Sequence, residues 1–102
     1  MTQDKDDVFV SSVQSELKKI GEMLVAKNKA YGNSAFRKPL FVDVDPQTAI
    51  MVRANDKVNR LDNLLKNGGS ENDETIDDTI RDLAGYFVLL LIDRIEEKQL
   101  GM

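Results

Sequence analysis

The sequence predicts an all-α fold. It reads as a bundle of three long helices, about residues 8–31, 46–67 and 73–98, with an irregular loop at 33–45, completed by association with further copies. Three observations carry this. Apolar residues recur at steps of three and four in three separate stretches, which is the helix period. Turn-forming residues divide those stretches. The third stretch also holds more apolar surface than three helices of this length can enclose.

The first helix rests on Val10, Val13, Leu17, Ile20 and Leu24. Asp6 or Asp7 suits its cap, which leaves residues 1–7 as a flexible acidic lead and 8–102 as a single domain. Gly32 and Asn33, after Tyr31, suit a C-terminal turn. The following loop carries Phe36, Leu40 and Phe41 around Pro39, and is expected to fold back on the helices.

The second helix has a strong start signal. Asp45 can cap it, and Pro46 suits the first helical position. Its expected stripe is Met51, Ala54, Val58, Leu61 and Leu65, and Asn67-Gly68-Gly69 ends it.

The third helix opens near Asn72-Asp73. Glu74, Asp77 and Asp78 complement the positive end of its dipole, while Arg94 and Lys98 suit the other end. Its expected stripe is Ile76, Ile80, Leu83, Phe87, Leu90 and Leu91. The run from Phe87 to Ile92 covers every side of the helix, and a helix apolar all round is normally buried all round. A homo-oligomer, dimer or tetramer, is therefore expected, with Val88, Leu89, Ile92 and Ile95 in the subunit interface. The alternative is that helix one and the 33–45 loop cover this surface within one chain.

Composition limits the chemistry. The 102 residues include no cysteine and no histidine. Disulfides, thiolate or imidazole zinc sites, and nucleophilic triads built on histidine are thereby excluded. A net charge of −4 disfavours a broad duplex nucleic-acid binder. The longest apolar run is too short to span a bilayer, and the first residues lack a signal-peptide profile, so a cytosolic protein without a membrane partner is expected. Any metal would be a hard cation such as Mg²⁺ or Mn²⁺ on carboxylates.

Two polar stripes could supply such a site. Arg53, Asp56, Lys57 and Arg60 share one face of helix two, and Asp78, Asp82 and Tyr86 share one face of helix three, with Glu74 a turn earlier. A short connection makes the two helices antiparallel neighbours. Carboxylates can then hold the cation while arginine and lysine take phosphate oxygens. On spacing alone, the stripes read more simply as solvated faces with weak ion pairs. Asp82 stands just before Leu83-Ala84-Gly85, where small residues permit close helix approach. Glu16, Lys19 and Glu22 read most simply as solvent-facing, though a glutamate there could join the site.

Three strings resemble a known family: 27–34 (KNKAYGNS), 53–61 (RANDKVNRL) and 73–86 (DETIDDTIRDLAGY). Together they look like the phage-associated nucleotide modification associated domain, which is similar to the MazG and dimeric dUTPase group of all-α nucleotide pyrophosphohydrolases. The resemblance spans about residues 16–93. It implies an oligomeric helical bundle that uses Mg²⁺ to cleave a nucleoside triphosphate into a monophosphate and pyrophosphate. Carried over by position, it implies Asp56, Glu74, Asp78 and Asp82 as metal ligands, with Asp56 and Asp82 catalytic. Lys27, Asn28, Tyr31 and Asn33 would line the nucleotide end, with Arg53, Lys57, Arg60 and Tyr86 completing the nucleotide site. The chain departs from the family's ExxE motif: Asn59 stands three residues after Asp56.

Three functional expectations follow. The first is a Mg²⁺-dependent nucleotide pyrophosphohydrolase in the cytoplasm of a bacterial host. The second is a non-catalytic binder of a nucleotide, for example a sequestered signalling nucleotide, or of a host protein. The third is a structural helical oligomer.

Overall fold

The computed structural model describes residues 4–32, 43–67 and 73–100. They form three helices, α1 (Lys5–Tyr31), α2 (Pro46–Asn67) and α3 (Asp73–Leu100), with no strand among the described residues. No helix among them is long and apolar enough to cross a membrane.

α1 begins three residues earlier than the sequence suggests. Asp4, rather than Asp6 or Asp7, is the cap, and its Oδ1 accepts the Asp6 N–H at 3.1 Å. Residues 5–7 are thus the first helical turn, and Asp6 and Asp7 sit at the positive end of the dipole. The helix ends as expected at Gly32, whose φ of 59° is the left-handed region that glycine enters without a Cβ clash. Its N–H donates to the Asn28 carbonyl.

The start of α2 also follows its local chemistry. Asp45 Oδ1 accepts the Thr48 N–H at 2.7 Å, and Pro46 opens the helix. α3 continues two residues past the expected end, to Leu100. The expected fold-back of the 33–45 loop falls on 33–42, outside the described residues.

α2 packs along α3, and α1 rests more briefly on α3. The link 68–72 is five residues long and reaches at most about 20 Å with its flanking bonds, whereas α2 is about 33 Å long. Two packed helices joined so closely must run antiparallel.

The inner face of α2 is rotated from the expected stripe. Ile50 is fully buried, with Ala49 and Ala54 beside it, while Met51, Val58 and Leu65 are largely exposed. Stepping about 100° per residue from Ile50, the inward arc holds Ala54, Lys57, Leu61 and Leu64. Each of the last three is half-buried. α3 turns Thr79 inward, 3% exposed, with its hydroxyl donating to the Thr75 carbonyl at 2.7 Å. Ile80, Phe87 and Leu91, expected in its core stripe, are largely exposed instead.

α1 meets α3 at Gly85, which is buried. A Cβ there would lie 3.0 Å from Leu24 Cδ2 and 3.3 Å from Met23 Cε. The small residue lets α1 approach closely, as the Ala84-Gly85 pair suggested. Ile20 and Leu24 are half-buried by this contact, whereas Val10, Val13 and Leu17 stay exposed.

Candidate functional site

Three helices meet at Asp82. Lys27, in the penultimate turn of α1, places Nζ 3.0 Å from Asp82 Oδ1. Lys57, on the inner arc of α2, places Nζ 3.2 Å from Oδ2. Asp82 lies three residues before Gly85, so the close approach of α1 that glycine permits is also what brings Lys27 within reach. The carboxylate is 19% exposed and Lys57 31%, while Lys27 is half in solvent.

Burial pushes the Asp82 carboxyl up. Hydrogen bonds and charge from Lys27 and Lys57 outweigh that push, and the group ends below its ordinary value. The cluster therefore holds one carboxylate and two ammonium groups, an excess of positive charge.

A second network lies beside it. Arg81 Nε donates to Glu16 Oε2 at 3.0 Å and its NH2 nitrogen to Oε1 at 3.4 Å, a two-pronged contact between α3 and α1. The NH1 nitrogen reaches Asp78 Oδ1 at 3.3 Å. Lys19 also donates to Glu16, at 3.4 Å. The hydrogen bond from Arg81 holds the Glu16 carboxyl below its ordinary value, and the same bond raises Arg81.

The expected site residues divide accordingly. Asp82, Lys57 and Lys27 come together. Arg53 and Tyr86, one turn from Lys57 and Asp82, are half-buried, as is Asn28 beside Lys27. Asp78 is turned to Arg81 and is 65% exposed. Glu74 and Arg60 are exposed. Asp56 is exposed because Lys57 faces inward, and its neighbour stands about 100° further round the helix. Tyr31 closes α1, with its side chain outside the described set, and Asn33 lies outside the described residues.

The described carboxylates are engaged with cations rather than gathered around one point. Both Asp82 oxygens face ammonium groups, and no three acidic side chains gather into a metal-holding group among the described residues. What the arrangement offers is two cationic donors from separate helices, which an anion can bridge.

Sequence reasoning passed over Arg81 and left Glu16 as a marginal candidate. The spacing of Asp78 and Arg81 is a visible i, i+3 signal, but the Glu16 pairing spans 65 residues and leaves no local trace. An open depression on α1, lined by Val8, Ser11, Ser12, Ser15 and Glu16, lies toward the other end of that helix from Lys27.

Comparison with known proteins finds no matching family model, no similar curated protein and no similar solved structure.

Proposed function

We propose that the chain binds a nucleotide through its phosphates at the Lys27–Asp82–Lys57 cluster, and that it works as a homo-oligomer in the cytoplasm. The observation that carries this is the convergence of two lysines from different helices on one partly buried carboxylate. Asp82 acts as an internal counter-ion that keeps both ammonium groups in place until a phosphate replaces it. Half-buried Arg53, one turn from Lys57, is in register to add a forked donor. Half-buried Tyr86 offers an aromatic edge one turn from Asp82. The likeness of 27–34, 53–61 and 73–86 to nucleotide-processing bundles supports the same ligand class.

The second reading is pyrophosphohydrolysis with Mg²⁺ or Mn²⁺. It is favoured by Asp82 being held ionised, since a phosphate that draws off the lysines leaves that carboxylate available.

A thermal-shift panel of nucleoside and deoxynucleoside triphosphates, run in EDTA and in Mg²⁺, tests both. Binding raises the melting temperature through RT ln(1 + [L]/Kd). The expected result is a shift in EDTA that is lost in K27M and K57M and enlarged in D82N. No shift at millimolar nucleotide in either condition sinks the ligand assignment. Pyrophosphate release that needs Mg²⁺ and disappears in D82N would instead establish the hydrolase reading.

A further inference from the structure

α3 carries an apolar face, interrupted by Arg81, that the described residues of its own chain leave largely bare. Ile80, Phe87, Leu91 and Ile95 are 47%, 47%, 60% and 53% exposed, and Val88 and Ile92 are each 37% exposed. At about 100° per residue these six fall within one arc of roughly 140°, turned away from the Thr79 side that is buried. Half-buried Ala84 lies inside the arc.

The bare area is large for the chain. Its accessible surface is 7985 Å², whereas a compact monomer of 11.5 kDa exposes about 5,800 Å². Burying only half of that excess on each of two copies removes about 2,200 Å² in total, the size of a permanent homodimer interface. The buried apolar residues among those described are Ala49, Ile50 and Ala54, and of these Ile50 is fully enclosed. A second copy of the chain carries the same face and is present wherever the chain is, which favours it as the occupant.

The face is also complementary to itself. We propose that two copies pair α3 against α3 antiparallel, across a two-fold axis passing between residues 87 and 88. A two-fold axis makes each contact occur twice. In this register Ile80 meets Ile95 of the partner subunit, and Phe87 meets Val88 of the partner subunit. The small Ala84 meets the large Leu91 of the partner subunit, so large and small alternate across the seam. At either end, exposed Asp77 stands opposite Lys98 of the partner subunit, giving two rim ion pairs of favourable sign. This register deepens the assembly proposed above and does not depend on the nucleotide.

The test uses the full chain. Light scattering at micromolar concentration should give twice the mass of one chain. Because the sequence has no cysteine, introduced ones report cleanly. Positions 84 and 91 are about 10 Å apart on one helix, too far to bridge within a chain. Oxidised A84C/L91C should therefore run as a covalent dimer. L91C alone should not, because its own copy lies about 10 Å away in this register. D77K should weaken the dimer several-fold and D77K/K98D should restore it. A single-chain mass overturns both the register and the assembly. A dimer in which A84C/L91C fails to crosslink, or L91C crosslinks alone, overturns the register and leaves the assembly standing.

Discussion

Asp82 faces Lys57 at 3.2 Å across the seam between α2 and α3, with both side chains withdrawn from most of the solvent. The contact ties the two packed helices together. It also gives Lys57, which helix geometry places on the inner arc of α2, a counter-charge there.

Asp82→Asn should therefore destabilise the protein. It leaves two ammonium groups facing a neutral amide. Hydrogen bonds to charged partners contribute about 1.5–3 kcal/mol each when well enclosed, and this cluster is half open, so a net loss of about 1–2 kcal/mol is expected. Urea unfolding should show a lower midpoint at unchanged slope. A midpoint equal to that of the native chain would remove the pairing from the account of stability.

The pH dependence has a defined sign. Asp82 and Glu16 both sit below their ordinary values in the folded chain. In the unfolded chain they return to the usual carboxylate range, near pH 4. Between those two values the unfolded chain binds more protons, so stability rises with pH there. The contribution is fully present above about pH 5 and is lost as pH falls through the depressed values. With no histidine, no side chain of ordinary pKa adds a slope between about pH 5 and 8. Melting temperatures followed from pH 7 to pH 3 should show a plateau and then a fall. That fall should be shallower in D82N.

Gly85→Ala tests the closeness of α1. Alanine favours a helix interior over glycine by about 1 kcal/mol. Against this, the new Cβ presses on Leu24 Cδ2 and Met23 Cε, the far ends of flexible side chains. These can shift by a few tenths of an ångström, so the variant should be as stable as the native chain or better by up to about 1 kcal/mol. Gly85→Leu has no such room. It should push α1 away and abolish the Lys27 contact, which a loss of the K27M effect in the same unfolding assay would register.

Asp45→Ala removes the α2 cap. The Thr48 N–H loses its 2.7 Å acceptor, and a cost of about 1 kcal/mol is expected from chemical unfolding. An unchanged midpoint would mean that another acceptor takes over that N–H.

The ends of the helices were legible in the sequence because they are set by neighbours in the chain. Asp45-Pro46 and Gly32 each act within four residues, and both do what their local chemistry requires. Asp4 was passed over because Asp4, Asp6 and Asp7 are all plausible caps, and the choice among them depends on how far the helix can extend. Ala84-Gly85 was a correct pointer to close approach, but which helix approaches was not visible in it.

Periodicity, read from the sequence alone, determined the three helices found among the described residues and which residues share a face within each. It could not determine how each helix is rotated against its neighbours, because a repeat defines angles only relative to its own axis. Only the tertiary structure decided that α2 turns Ile50 and Lys57 inward and leaves Asp56 to solvent. It alone paired Lys27 with Asp82 across 55 residues. It also left Ile80, Phe87 and Leu91 largely exposed, since α1 meets α3 around Gly85 and no other helix among the described residues lies over them.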